Sequence, residues 1–163
     1  MNHELLIIFE NEKFFSGALT YAREYAIRTE AKVSFLMLVT MSFSIHDSMG
    51  ARRNAIQKIE AKAGKLLAEL TEKFIQKGLQ TSSALRIGDP AQELLKFLAD
   101  RPSFQAIIWG SGEDLPSICK KPKKHWLCDL AENLECPLLT VTKRLKKDSF
   151  KKRQIKGLDT FFY

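Results

Sequence analysis

This 163-residue chain has three cysteines in all, Cys119, Cys128 and Cys136. An odd number with no secretion signal predicts reduced thiols rather than a disulfide framework. Met1-Asn2-His3-Glu4 leads straight into a short apolar run, with no cleavage pattern behind it. No apolar run approaches the roughly 20 residues of a membrane-spanning helix. These absences predict a cytoplasmic protein. Catalytic signatures are also missing: there is no Walker sequence, nucleophile elbow or metalloprotease helix. His46 lies in an unpatterned stretch with no serine or cysteine motif beside it. Cys119, His125, Cys128 and Cys136 bring zinc-binding atoms, but their spacing fits no common structural zinc pattern. Buried thiols serving as small apolar residues are expected instead, and no metal. No internal repeat divides the chain.

At this length one domain is the default, and a hydrophobic content of 45% supplies a sizeable core. The formal charge of +7 is unevenly placed. Seven basic residues from Arg144 to Lys156 face only Asp148 and Asp159 among residues 144–163, a surplus of five. The basicity therefore belongs mainly to a C-terminal extension, 144–163, appended to an α/β domain of residues 1–143. The extension ends in Phe161-Phe162-Tyr163, three aromatics expected to dock on the body or on another chain.

Apolar runs and helical periods alternate along the domain. Leu5 to Phe9 reads as a first buried strand and Val33 to Val39 as a second. Phe15, Ala18, Leu19, Ala22, Tyr25 and Ala26 recur at helical spacing between them. Thr40 to Gly50 has no clear period. Arg52 to Lys77 is the longest helical pattern, with Gly78 placed to cap it. His125 to Leu134 reads as a short helix and Leu138 to Thr142 as the last strand.

The stretch from Ala84 to Gly112 organises the rest. A short strand meets Gly88-Asp89-Pro90. Asp89 suits a helix N-cap, Pro90 the first helical position, and Gln92 completes a capping-box pattern. Leu94, Leu95 and Leu98 form the expected apolar stripe, and Arg101-Pro102 ends the helix. Ala106-Ile107-Ile108-Trp109 then runs, apolar throughout, into Gly110-Ser111-Gly112. A strand ending in a small glycine loop is where an open α/β sheet places its ligand. The alternation predicts a three-layer α/β fold: a five-stranded, mostly parallel sheet with helices on both faces.

Over residues 3 to 143 these segments resemble the universal stress protein family. Arg86-Ile87-Gly88-Asp89-Pro90-Ala91 resembles its strand–Gly-Asp-Pro–helix segment, and Ala106 to Ser111 its apolar strand ending in Gly-Ser. Cys136-Pro137-Leu138-Leu139-Thr140-Val141 resembles its closing strand. Leu6 to Glu10 is similar to its first strand, which ends in Asp. The resemblance implies a Rossmann-like stress-response or regulatory protein that is not an enzyme and forms a homodimer through the last strand, Leu138 to Thr142. It also implies where an adenine nucleotide would sit. Glu10 takes the place of the adenine-contacting Asp, and Leu38 or Val39 supplies the backbone contact. Gly110, Ser111 and Gly112 begin the phosphate loop, which Lys124 and His125 would close.

That loop departs from the family pattern. Small residues let backbone amides approach phosphate oxygens, and a hydroxyl adds a donor. Glu113 stands at the second glycine position, and Lys124-His125 at the third glycine and its hydroxyl neighbour. Either Lys120, Lys121, Lys123 and Lys124 replace the cradle as a phosphate clamp, or they form a solvated loop. The expectation is no cofactor, with weakly held ATP or AMP as the alternative. Glu10, Glu113 and Asp114 could in principle meet as paired carboxylates. The basic extension is either solvated or an arm for a protein, an anionic membrane or a nucleic acid, making the chain an accessory subunit.

Overall fold

An apolar run with no polar face can only be covered on both sides, and Leu5 to Phe9 is fully buried at the centre of a parallel sheet. The computed structural model describes residues 3–41, 48–101, 103–112 and 125–142, together with the backbone of 158–162. Six strands are described: β1 (Glu4–Glu10), β2 (Lys32–Thr40), β3 (Thr81–Gly88), β4 (Ala106–Trp109), β5 (Leu138–Thr142) and β6 (Leu158–Phe162). Their order across the sheet is β3-β2-β1-β4-β5-β6, and every pairing is parallel. At the centre, Ile7 pairs with Phe35 on one side and Ile108 on the other.

Alternation sorts the side chains into two cores. Leu5, Ile7, Phe9, Phe35 and Met37 face α1 (Ser16–Thr29) and α2 (Met49–Ile75). Leu6, Ile8, Leu36, Leu38, Ile107 and Trp109 face α3 (Pro90–Ala99) and α4 (Trp126–Ala131). This is the three-layer α/β fold expected from the alternating pattern. In α1 the buried stripe is small, Ala18, Ala22 and Ala26. In α2 the stripe is Ala63, Leu67, Leu70 and Phe74, and the helix stops where Gly78 turns left-handed at φ 81°. Gly78 N–H then donates to Ile75 O and Leu79 N–H to Phe74 O, closing the helix end.

The start of α3 forms as its residues dictate. The Asp89 carboxylate accepts from Gln92 N–H at 3.0 Å, with Pro90 at the first helical position. The buried stripe is corrected: Leu94 and Phe97 are the buried pair, while Leu95 is 49% exposed. A spacing of three carries Phe97 inward, and Leu95, one residue beyond Leu94, is rotated off that face. The helix expected from His125 to Leu134 spans only Trp126–Ala131.

Beyond the expected five strands, β6 pairs along β5 from Leu138–Leu158 to Thr142–Phe162. The β5 edge expected to pair with a second copy is thus taken by the chain's own end.

Candidate functional site

The carboxyl ends of β1 and β4 are neighbours, because Ile8 pairs with Trp109. Glu10, Leu38, Val39, Gly110, Ser111 and Gly112 therefore gather at one end of the sheet, as expected of a ligand site in an open α/β fold. His125, about 15 residues past that loop in sequence, joins them through its side chain. Lys124, Lys120, Lys121, Lys123, Glu113, Asp114, Cys119 and His46 lie outside the described residues.

Among the described residues, most polar groups at this cleft are engaged from within the chain. Glu10 is centred on an acceptor network: its Oε2 lies 2.6 Å from His125 Nε2, and its Oε1 accepts from Trp126 Nε1 at 3.1 Å. The other imidazole nitrogen, Nδ1, accepts from Leu127 N–H at 3.2 Å and caps α4. A neutral imidazole accepting at Nδ1 carries its proton on Nε2, so Nε2–H donates to the carboxylate. With both nitrogens committed, His125 has no free base position in this arrangement.

Burial alone would raise the Glu10 carboxyl. The hydrogen bond from His125, the charge of that ring when protonated, the Trp126 indole N–H and the Lys13 ammonium outweigh it. The net effect holds Glu10 below the usual carboxylate range. Three aromatic rings close around this knot. Trp109 lies edge-on to His125 at 5.1 Å and to Trp126 at 6.5 Å, and His125 and Trp126 are 5.2 Å apart.

The loop after β4 is equally committed. Ser111 Oγ accepts from Glu10 N–H at 2.7 Å and donates to Lys13 O at 2.7 Å. Gly110 N–H donates to Ile8 O, and its carbonyl accepts from Phe15 N–H. Gly110 is glycine for a packing reason: a Cβ there would stand 2.5 Å from the buried Phe9 ring. At the end of β2, Leu38 O accepts from Asn11 N–H at 2.7 Å. Asn11 is left-handed at φ 55°, and its Oδ1 accepts from Thr40 N–H at 3.1 Å. Val39 pairs with Ile87 of β3. Among the described residues of the cleft, Trp109 Nε1 is buried without a hydrogen-bond partner, beside Gly112.

Sequence reading missed Trp126, Asn11 and the Lys13 carbonyl. Adjacency to His125 was the only signal Trp126 offered. The reduced-thiol expectation is corrected: Cys128 is disulfide-bonded. Cys136 is a free thiol, pushed up chiefly by burial. Among the described residues no three His, Cys, Asp or Glu side chains gather as metal ligands, and no helix is long and apolar enough to cross a membrane.

Solved structures give the arrangement of strands and helices its relatives. The universal stress protein UspA from Lactobacillus plantarum superposes at TM-score 0.65 with 13% identity, covering 85% of this chain and 96% of that one. The fold is that of the universal stress protein family. A family member from Burkholderia pseudomallei matches at TM-score 0.61 and 16% identity, over 84% of this chain and 93% of that one. One from Arabidopsis thaliana, solved with AMP bound, matches at 0.54 and 19%, over 88% and 93%. No protein-family model and no curated protein matches the sequence. The likeness thus rests on the fold, which places the sheet's carboxyl end and leaves its chemistry to this chain's own residues.

Proposed function

We propose that this chain is a non-catalytic stress-response or regulatory protein built on the universal stress protein fold, without tight ATP binding. The observation that carries the reading is the occupation of Glu10 by His125 and Trp126. A nucleotide base seeking that carboxylate would have to displace two donors held by α4. A phosphate seeking Ser111 would find its hydroxyl already accepting from one backbone group and donating to another. Removing such internal hydrogen bonds costs about 1–3 kcal/mol each before any ligand contact is made. General acid–base work is disfavoured too, because both His125 nitrogens are engaged.

The second reading, an adenine-nucleotide sensor, draws on the AMP held by the Arabidopsis neighbour and on the unpartnered Trp109 indole beside Gly112. It requires α4 to move. Calorimetric titration of the full chain with ATP and AMP separates the two. The expected outcome is no binding heat up to about millimolar nucleotide, the weak end of specific affinity. A saturable isotherm in the micromolar range overturns the first reading in favour of the second. A cytoplasmic location fits this regulatory role, although the Cys128 disulfide is a bond that reducing compartments disfavour.

A further inference from the structure

β5 is buried on both faces: Leu138, Leu139, Thr140 and Val141 are each no more than 4% exposed. Its inner edge pairs with β4 and its outer edge with β6, five residues against five. Without β6 that outer edge would offer a row of unpaired N–H and C=O groups, a template for another strand.

The connector between β5 and β6, residues 143–157, has a distinctive composition. It holds eight Lys or Arg against one acid, Asp148, so the formal +7 of the whole chain resides in these residues and the remainder is neutral. Fifteen residues can reach about 50 Å when extended. The start of β6 lies beside Leu138, only about 13 Å back along β5 from Thr142. The connector is therefore long enough for the chain's own end to reach its own edge.

We propose that the segment Leu158–Phe162 is an intramolecular edge cap, which denies the outer edge of β5 to a second copy and keeps the full chain monomeric. A strand tethered to its own edge competes at an effective concentration on the order of millimolar, well above ordinary protein concentrations. Charge acts in the same direction. Two copies joined through β5 would bring together two chains of formal charge +7, a like-charge repulsion that is strongest at low salt. The proposal is independent of the closed cleft at Glu10, which lies on the other side of β4.

The test combines sedimentation and amide hydrogen exchange on the full chain, from about 10 to about 500 µM, below the expected effective concentration. The expected mass is that of one chain, 18.6 kDa, throughout. The amides of 158–162 should be protected to the same degree at both ends of the range. Two proline variants follow, Thr160→Pro and the double change Asp159→Pro with Phe161→Pro. In a parallel strand alternate residues bond one neighbour, so one of these variants removes ladder donors toward β5 and the other serves as its control. The damaging variant should lose protection at 158–162 and self-associate at least about tenfold more tightly, most clearly at high salt. A wild-type dimer with unprotected 158–162 would overturn the proposal, as would protection that grows with concentration. Two proline variants that both stay monomeric across the range would overturn it as well. The exchange measurement on the wild type decides the cap even if a proline variant fails to fold.

Discussion

The turn after β3 and the turn after β4 both end a parallel strand at the same edge of the sheet, but different contacts hold them. After β3, Gly88, Asp89 and Pro90 are neighbours in sequence, and the Asp89–Gln92 bond spans three residues. After β4, Ser111 is tied to Glu10 across 101 residues, and Glu10 to His125 across 115. The first turn is local chemistry and starts a helix. The second is a junction of β1, the loop after β4 and α4, held by contacts between segments far apart in sequence.

Substitutions on the two sides should differ in size. Gly110→Val should have the largest effect, about 3 kcal/mol or more by denaturant unfolding, because the new side chain has to enter the space of Phe9. Glu10→Ala comes next, about 2 kcal/mol at neutral pH, since it leaves the His125 and Trp126 donors without their acceptor. The pH dependence of Glu10→Gln sharpens this. Glu10 ionises more readily folded than unfolded, so its contribution is fully present above the usual carboxylate range and fades as pH falls through its lowered value. The stability gap between wild type and Glu10→Gln should accordingly narrow in acid, and a gap that widens there would contradict the assigned contacts. Asp89→Ala, on the local side, should cost about 1 kcal/mol, an ordinary N-cap loss. Leu95→Gln should be smallest, within about 0.5 kcal/mol, because that side chain is half exposed.

The same division explains what could be read from the sequence. The strands announced themselves as apolar runs, and Asp89-Pro90 announced α3, because each signal lies within a few residues of its effect. The positions of Glu10, Leu38, Gly110 and Ser111 followed from strand order, since a parallel α/β sheet brings these strand ends together. The use of those residues did not follow. Whether Glu10 faces a ligand or His125 depends on where a six-residue helix comes to rest, and no periodicity encodes that. Leu95 was misplaced because three leucines at near-helical spacing outweighed Phe97, which lies nearer the centre of the buried face. β6 was hidden by its basic connector: a five-residue strand after fifteen mostly charged positions carries little pattern of its own.

The proposed commitment of Glu10 to α4 rather than to a ligand is tested most directly by the two indole N–H resonances of Trp109 and Trp126 in a nitrogen–proton correlation spectrum, recorded for wild type and Glu10→Gln and during addition of AMP. The Trp126 signal should be shifted by its bond to the Glu10 carboxylate, should move in Glu10→Gln, and should stay fixed as AMP reaches millimolar levels. A Trp126 resonance indifferent to Glu10→Gln, or one that moves saturably at micromolar AMP, would show that the carboxylate is free for a ligand and that the cleft is open.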